Sequence, residues 1–437
     1  MTSRRRKGFP RLGAALAVGI FLLARPAFPS GFQVMTQGAR ASGMGLAFTA
    51  VADDPTAIFY NPAGMGFLSH YEASTGGSLL TRVTGDFQGA NPYPGPSATE
   101  HYQKQSFLLP NVYAVMPLTH DLNFGLGIFA PYGLGLRWEN PNTYSGRFIS
   151  QNAVIKSADI NPTFSYRVSP QIALGFGVDY RLSKVQLEKD QAAINPFTNS
   201  VADIAHVKLN TNLTSNHGWG FNAGILVKPC DMVSFGASYR SKIRINYDLD
   251  ATFIQRLTGN APFDAKVAGQ IPANQKATTS IEFPSTLNFG VAVNLMGGAL
   301  TLAGEADWTQ WSTFQTLDIN FPSTPALNLH RANLWKDSWA YRGGLQYKVT
   351  KNFAVRAGYY YDKTGQPTAD AGPILSDSNR NAFTFGFGYN TESWGVDVGD
   401  VFIKFKDRDT RAGNTDNFFG VYKEAANVGS INFRLAF

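Results

Sequence analysis

The sequence has few cysteines, few histidines and no long apolar segment of the kind that crosses a membrane as a helix. Cys230 is the single cysteine among 437 residues, so no disulfide can form within the chain. Beyond residue 30, no stretch reaches the roughly twenty consecutive apolar residues that a spanning helix needs. The mean hydropathy is only −0.15. These absences exclude a disulfide framework and argue against a helical membrane protein.

The first thirty residues have the pattern of an export signal. A basic start (residues 4–7) precedes one apolar run from Leu12 to Ala24, which is too short to span a bilayer. We expect a signal peptide over residues 1–30 and a mature chain beginning near Gly31. This segment contains six Arg or Lys and no acidic residue, so its removal reduces the formal charge from +7 to +1. Nucleic-acid binding, which a basic chain would suggest, then loses its main support.

The sequence contains many segments that have one apolar and one polar face. In 338–349 the aromatics Trp339, Tyr341 and Tyr347 alternate with polar residues such as Arg342, and 383–390 and 233–247 repeat the pattern. Long strands with one apolar face and one polar face are typical of a transmembrane antiparallel β-barrel. The alternative is a soluble, secreted all-β protein. Fourteen strands are predicted, beginning near Tyr71, Ser106, Leu122, Ser150, Gln171, His217, Met232, Ile281, Ala299, Ser338, Asn352, Asn381, Glu392 and Ala426.

The connections and the carboxyl end fit such a barrel. Short turns alternate with long segments, which is the expected asymmetry between periplasmic turns and outer loops. The last residues alternate apolar and polar up to Phe437. We expect this terminal aromatic to be read by the outer-membrane barrel assembly machinery.

The segment before the strands, residues 31–70, has a different composition. Asp53 and Asp54 precede a proline and predict the start of a short helix, which would end at Asn61 and Pro62. A compact, glycine-rich piece of this kind lies either in the periplasm or inside the lumen as a plug. The barrel would then cover residues 71–437.

Several motifs in this segment, namely 31–33, 43–47, 52–54 and Asn61-Pro62-Ala63, resemble the amino-terminal hatch of the FadL family of outer-membrane transporters for long-chain fatty acids and other hydrophobic compounds. Further similar segments follow in the family's order, among them 132–135, 218–225, 239–241 and 308–314. The resemblance implies a fourteen-stranded barrel with the hatch inside, and we expect the barrel to be a monomer. The resemblance also implies a binding pocket that uses Phe32 and basic residues near Lys184 and Lys336.

Alternation predicts a row of cations in the lumen. Arg181, Arg240 and Arg342 are expected to point inward, and a shift in the alternation around 182–185 would turn Lys184 inward as well. Cations in an apolar pocket suit a fatty-acid carboxylate. They could equally pair with lumen acids or with Asp53 and Asp54. Lys242, Arg244, Arg356 and Arg434 belong to the same predicted inward set.

The third strand is interrupted by Pro131, Tyr132 and Gly133. Proline cannot donate a ladder hydrogen bond, so the wall must bulge or open there. The family resemblance implies an opening through which substrate leaves sideways into the membrane. An ordinary bulge is the alternative.

An outer-membrane lipase would also be a barrel, but the six histidines are scattered and no recognisable serine motif accompanies them. No metal-ligand motif is present, and no cofactor is expected. A water-filled porin is disfavoured by the hatch. We therefore expect a non-enzymatic uptake channel in the bacterial outer membrane, for fatty acids or alternatively for aromatic or alkane hydrocarbons.

Overall fold

The computed structural model describes residues 31–437. The predicted signal peptide lies outside these residues. Residues 31–437 contain three short α-helices, α1 (Ala39–Gly43), α2 (Ala57–Tyr60) and α3 (Ala261–Ala268), with 3-10 turns at Pro62–Phe67, Met296–Gly298, Trp311–Thr313, Pro325–Leu327 and Thr368–Asp370. The strands are β1 (Glu72–Gly89), β2 (Thr99–His101), β3 (Ser106–Pro117), β4 (Leu122–Phe129), β5 (Gly133–Arg137), β6 (Asn152–Ser169), β7 (Ile172–Asn195), β8 (Ser200–Asn210), β9 (His217–Cys230), β10 (Val233–Arg240), β11 (Ile243–Gln255), β12 (Gln275–Phe283), β13 (Thr286–Leu295), β14 (Leu300–Thr309), β15 (Thr316–Asn320), β16 (Leu329–Ala332), β17 (Ser338–Lys348), β18 (Phe353–Asp362), β19 (Arg380–Asn390), β20 (Trp394–Phe405), β21 (Arg408–Asp409) and β22 (Gly420–Ala436).

Fourteen wall strands close into one antiparallel barrel. Three of them have two parts, β4 with β5, β10 with β11, and β12 with β13, while β2, β8, β15, β16 and β21 pair in the loops above the wall. Each wall strand pairs with the next, and β22 pairs with β1 from Glu72↔Ala436 to Gly89↔Gly420. Closure leaves no unpaired sheet edge between the first and last strands. The predicted strand count is confirmed. The last strand begins at Gly420, six residues before the predicted start.

The described residues 31–437 include no helix long and apolar enough to cross a membrane.

The outer face of the wall carries exposed aromatic and aliphatic side chains. Along β19, Phe383, Phe385, Phe387 and Tyr389 are 57%, 56%, 51% and 44% exposed, while Thr384 between them is buried. An apolar outer face and a polar inner face suit a barrel surrounded by lipid. The predicted faces of this strand are therefore as observed.

The first 38 described residues lie inside the barrel and form what we call the hatch (31–68). Its backbone packs directly against glycines of two wall strands. A Cβ atom added at Gly236 of β10 would lie 2.2 Å from the Thr49 carbonyl oxygen, and one at Gly344 of β17 would lie 2.0 Å from that of Met44. Glycine at these positions lets the two backbones touch, so the hatch fills the lumen closely.

The predicted faces of the seventh wall strand are wrong beyond Arg240. Ser241 and Lys242 separate β10 from β11, and the alternation reverses there: Ile243 is buried and Arg244 is exposed. Lys242 lies outside, paired with Glu282 at 2.7 Å. Two residues between the strand parts shift the pleat by one, and each residue beyond them changes face.

Candidate functional site

The third wall strand has a gap in its pairing. β3 pairs with β4 only as far as Val112↔Ile128, and β5, which continues the strand, pairs only with β6. Three residues, Ala130 to Tyr132, stand opposite two residues of β6 where the register passes from Phe129↔Asp159 to Gly133↔Lys156. We call the unpaired region between β3 and β5 the wall gap.

The amino end of the hatch takes the place of the missing neighbour. The Val34 amide donates to the Pro131 carbonyl at 2.7 Å, and the Gly133 amide donates to the Phe32 carbonyl at 2.8 Å. Gln33 and Tyr132 form an isolated antiparallel bridge between these bonds. The interrupted strand therefore turns towards the lumen and is held there by the hatch.

Phe32 is 1% exposed and lies among five aromatic rings. Its ring centroid is 4.9 Å from that of Trp311, 5.4 Å from Phe314 and 5.8 Å from Phe283, all in edge-to-face geometry. Tyr132 and Trp335 complete the cage at 6.0 and 6.2 Å. Such rings bury large apolar areas and favour tilted contacts. The cage joins the hatch, the broken strand and the outer loops.

Gly31, the first residue of the hatch, is held by a hydrogen bond and allows no side chain. Its amide donates to Asp377 Oδ2 at 3.0 Å. Its φ is +58°, and a Cβ atom would lie 2.6 Å from the Trp311 ring, so glycine is required by both conformation and space. Asp377 also accepts a hydrogen bond from Thr364 and pairs with Arg380 at 3.4 Å. The loop between β18 and β19 thus holds the hatch end.

Next to Phe32 lies a small apolar cavity of about 60 Å³, the inner pocket. Its walls are mostly aliphatic and aromatic, with Leu134 contributed by β5. Four polar residues from the outer loops, Arg331, Asn333, Gln366 and Asp370, close one side. The pocket therefore has a long apolar wall and one polar end.

The polar end contains a cation, a free donor and a perturbed acid. Arg331 Nη2 donates to Asp416 Oδ2 at 2.9 Å and to the Asp370 carbonyl at 3.3 Å. Asn333 Nδ2 is buried and has no hydrogen-bond partner among residues 31–437. Burial raises the pKa of the Asp370 carboxyl to about 6, against the lowering effect of Arg331.

A larger cavity of about 480 Å³, the outer cavity, adjoins the inner pocket on the loop side. Leu187, Leu317, Arg331 and Ile374 line both spaces. The outer cavity is lined by apolar residues such as Phe253 and Phe321, with charged groups such as Lys189 at its border. An amphipathic molecule entering from the loop side would meet this cavity first.

The predicted inward cations Arg181, Arg240 and Arg342 do face the lumen, but each is paired with an acid. Arg181 makes two hydrogen bonds to Asp159, of 2.8 and 2.7 Å, and lies over the Tyr132 and Phe283 rings. Arg240 pairs with Asp179, and Arg342 pairs with Asp307. Of the two alternatives open from the sequence, pairing with lumen acids is the one observed for these three. Arg356 and Arg434 are paired as well, with Asp397 and Glu72.

Lys184 and Lys336 do not line the inner pocket. Arg181, Ser183 and Val185 are buried in regular alternation, and the pairing of β6 with β7 runs through Lys156↔Lys184 without a shift. The predicted shift in alternation is therefore wrong, and Lys184 lies on the outer face. Lys336 is exposed, although its neighbour Trp335 lines the pocket.

The predicted hatch residues hold the plug together and tie it to the wall. Asp53 pairs with Arg40 at 2.7 Å, and Asp54 accepts a hydrogen bond from the Thr56 amide at 2.9 Å at the start of α2. Asn61 Nδ2 donates to the Thr49 carbonyl at 2.8 Å and to the Ile225 carbonyl of β9 at 3.0 Å. Ser165 Oγ donates to the Ala63 carbonyl at 3.1 Å. Pro62 packs on Gly175, where a Cβ atom would lie 2.3 Å from its carbonyl carbon.

Sequence reasoning missed the polar end of the pocket. Arg331, Asn333, Asp370 and Asp377 lie in or beside long outer loops, where no alternation indicates a direction. In residues 31–437, no three His, Cys, Asp or Glu side chains come together as a metal site would require.

The barrel is closed, its outer face is apolar, its lumen is plugged, and an apolar pocket lies beneath the loops. These features define the class of protein, which is an outer-membrane channel for apolar molecules. The family model described as "Outer membrane protein transport protein (OMPP1/FadL/TodX)" matches residues 20–437. The chain belongs to this family, and its site of action is the bacterial outer membrane.

Known proteins of the family resemble the chain over most of its length. It is 24% identical to the long-chain fatty acid transport protein of Escherichia coli O6:H1, over 89% of this chain and 90% of that one. The crystal structure of a Pseudomonas aeruginosa FadL homologue superposes with a TM-score of 0.77 at 21% identity, covering 93% of this chain and all of that chain. The P. putida toluene transporter TodX superposes with a TM-score of 0.69 at 17% identity, covering 92% and 98%. At these identities the solved structures support the fold.

Proposed function

We propose that this protein takes up long-chain fatty acids and related hydrophobic molecules across the outer membrane. In this proposal the outer cavity captures the substrate, the inner pocket receives it, and the wall gap releases it into lipid. The observation that carries the proposal is the position of Phe32, which contacts the pocket through its ring and the interrupted strand through its backbone carbonyl. The chain's relatives include a protein named for long-chain fatty acid transport.

The size of the inner pocket supports a gated step. A volume of about 60 Å³ holds about two water-sized molecules. A long acyl chain fits only if Phe32 leaves its cage, and that movement pulls on the bonds to Pro131 and Gly133. Substrate entry and rearrangement at the wall gap are then one coupled event, in which Pro131, Tyr132 and Gly133 form a lateral gate.

The route through the wall is favoured by the chemistry of the substrate. Each methylene group left in water costs about 0.8 kcal/mol, so an acyl chain is more stable entering the bilayer than crossing periplasmic water. A straight pore is also obstructed, since the hatch packs backbone to backbone against several wall strands. Liposome swelling by small sugars would contradict this proposal, because it requires an open aqueous path.

For the carboxylate we infer a site at Arg331 and Asn333. Arg331 is the pocket cation, and the free Asn333 amide provides a second donor to an oxygen.

Substrates without a headgroup, such as aromatic or alkane hydrocarbons, are the second candidate, favoured by the five rings around Phe32. A solved structure of similar fold is named as a toluene transporter.

Arg331→Gln separates these substrates. Losing a charged hydrogen bond costs about 1.5 to 3 kcal/mol, so oleate should bind about tenfold or more weakly, while a neutral hydrocarbon of similar size keeps its affinity. Lys336→Gln is the matched control, since that exposed lysine is outside the pocket, and it should change neither. Equal losses for both ligands in Arg331→Gln would contradict a carboxylate site.

We infer also that the protein is not an enzyme. Across residues 31–437, His101, His120, His206 and His330 each contact an aspartate, and none of these pairs has a serine hydroxyl hydrogen-bonded to the ring. A nucleophile and its base must be within hydrogen-bond reach. Ser69 Oγ does lie 3.0 Å from His70 Nδ1, but no acidic side chain in residues 31–437 is hydrogen-bonded to that ring to orient it as a base. Ester hydrolysis by purified protein would overturn this inference.

The remaining parts of the proposal concern assembly. Phe437 is 76% exposed at the end of the last strand and is suited to recognition by barrel assembly machinery. The barrel is closed by its own first and last strands, so we propose that it acts as a monomer. Replacing Phe437 with Ser should reduce surface expression without changing the properties of the barrels that do assemble.

A further inference from the structure

Three lysines form a compact group on the outside of the barrel, at the end that carries the long loops. Lys404 lies in β20 opposite Asn381 of β19. Lys406 follows β20, and its amide donates to the Asn379 carbonyl at 2.7 Å. Lys363 follows β18 directly, and its amide donates to the Trp339 carbonyl at 3.1 Å. We call Lys363, Lys404 and Lys406 the lysine cluster.

Strand spacing places these three residues close together. The pairing Asp362↔Arg380 sets Lys363 beside Asn379, so Lys363 and Lys406 flank the same residue of the middle strand. Neighbouring strands are about 4.8 Å apart, which puts their Cα atoms about 10 Å from each other. Lys404 and Lys406 are two residues apart on one face, or about 7 Å. Flexible lysine side chains at these distances can converge on one group.

An aromatic row lies immediately beneath the cluster on the same outer face. Tyr359, Phe383 and Phe402 are 42%, 57% and 51% exposed, and along their strands they lie two residues from Lys404 and four residues from Lys363 and Lys406. Exposed aromatic girdles of barrels lie at the boundary between hydrocarbon and headgroups. The lysine ammonium groups are therefore at the level of the headgroups of the outer leaflet.

The polar groups between the lysines are already bonded to one another. Tyr359 Oη donates to Asn381 Oδ1 at 2.6 Å, and Asn379 Nδ2 donates to Tyr361 Oη at 3.0 Å. In the part of the chain that the structure describes, none of the three ammonium groups makes an ion pair or a side-chain hydrogen bond. One exposed acid, Asp407, follows Lys406 and offsets part of the charge.

Three other exposed lysines of the barrel are, by contrast, paired with acids. Lys242 lies 2.7 Å from Glu282, Lys276 pairs with Asp250 at 2.5 Å, and Lys351 at the short-turn end lies 3.2 Å from Glu392. The lysine cluster thus combines three cations that have no ion pair within residues 31–437, a headgroup-level position and a lipid-facing direction.

We propose that the lysine cluster binds the phosphate groups of the phosphorylated glycolipid that forms the outer leaflet of the bacterial outer membrane. Lysine ammonium groups form charge-assisted hydrogen bonds to phosphate oxygens, and these bonds are stronger than neutral ones. The acyl chains of the same lipid would lie along the aromatic row. This binding is independent of the inner pocket, which opens inside the barrel.

The test uses the full barrel in detergent and two probes, bis-phosphorylated lipid A and the same lipid with both phosphates removed. Native mass spectrometry should show the phosphorylated probe retained and the dephosphorylated probe bound about a hundredfold more weakly, from the contribution of three lysines. The triple variant Lys363→Gln, Lys404→Gln, Lys406→Gln should bind both probes equally weakly.

Lys276→Gln is the control, because that lysine is also exposed at the loop end but already has a partner; it should retain the parental preference. Heat-modifiable gel migration would confirm that each variant is folded. Equal binding of the two probes by the parent, or full retention of the phosphorylated probe by the triple variant, would overturn the proposal. Displacement of the bound lipid by inorganic phosphate alone would also overturn it, because the proposal requires the acyl chains to contribute to binding.

Discussion

The Gly133 amide donates a 2.8 Å hydrogen bond to the Phe32 carbonyl, so one residue pair joins the barrel wall to the pocket. On one side of this bond the third wall strand has lost its partner; on the other side the Phe32 ring fills an aromatic cage. A change at either place reaches the other through a single peptide unit.

Restoring the interrupted strand should stop transport. Pro131→Val with Gly133→Val supplies a ladder donor and two strand-forming residues, which favour pairing of β5 with β3 over pairing with the hatch. We expect uptake of oleate to fall to the level of cells that lack the protein, while capture at the outer cavity persists. Uptake in cells with matched surface expression is the measurement.

Gly429→Val is the control for that variant. Gly429 lies in β22, and nothing is within 4 Å of the position a Cβ atom would take, so the change adds a side chain without a clash. Its uptake should equal that of the parent. Transport at the parental rate by the variant with Pro131→Val and Gly133→Val would contradict lateral exit.

Asp377→Asn should loosen the amino end of the hatch. The carboxylate accepts the Gly31 amide, and losing a charged hydrogen bond costs about 1.5 to 3 kcal/mol, or about tenfold or more in local opening. Hydrogen exchange at the Val34 and Gly133 amides should accelerate by that factor. Asp318→Asn, in the outer loops, is a control that should leave both amides unchanged. Unchanged exchange in Asp377→Asn would show that the hatch end is held by packing alone.

Fatty-acid binding should depend on pH through Asp370, whose pKa burial raises to about 6. Below that value the carboxyl is neutral and its charge no longer repels a second carboxylate in the pocket, so oleate affinity should rise as pH falls from about 7 to about 5. Asp370→Asn should show the higher affinity at both pH values. The affinity for a neutral hydrocarbon should not change with pH. An equal change would show that the pH dependence does not arise from the charge of Asp370.

The same shift gives a stability prediction with a defined sign. The folded pKa lies above the unfolded value of 3.8, so the folded state binds the proton more tightly. The stabilising contribution is complete below the unfolded pKa and is lost as pH rises through about 6. Asp370→Asn should remove this part of the pH dependence of unfolding.

Arg181 should matter for stability more than for ligand affinity. Arg181 and Asp159 are 1% and 0% exposed, and removing one partner of such a pair costs about 3 to 5 kcal/mol because a buried charge remains. Arg181→Met should lower the unfolding free energy by that amount, and adding Asp159→Leu should recover most of it. Urea unfolding in detergent is the measurement. A double variant as unstable as Arg181→Met would refute the charge explanation.

Sequence patterns predicted the wall well and the pocket poorly, for one physical reason. Where the lumen is polar, as along Phe383 to Tyr389, alternation distinguishes the two faces. Beside the pocket the lumen is apolar, so Ile243, Ile245 and Tyr247 have the hydrophobicity of lipid-facing residues although they are buried inside. The sequence pattern does not reveal the shift of the pleat at Ser241, because the segment has one apolar and one polar face whichever face is assigned to the lumen.

The pocket's polar end could not be predicted for a different reason. Arg331 and Asp370 are brought together by two outer loops that are distant in sequence, and neither loop has a periodic pattern. Phe32 was predicted through the family resemblance. The resemblance also suggested Lys336, and both the resemblance and a shift in alternation suggested Lys184; the structure places both lysines outside the inner pocket.

The contact of the hatch backbone with Gly236 and Gly344 also sets an order of events in folding. At about 2 Å between an added Cβ and the hatch carbonyls, the finished ring leaves no clearance through which the segment could be threaded afterwards. Residues 31–68 must therefore be in place while the wall is still open, and the pairing of β22 with β1 seals them in. The barrel is completed around its contents, and the last strand to pair determines when the plug can no longer leave.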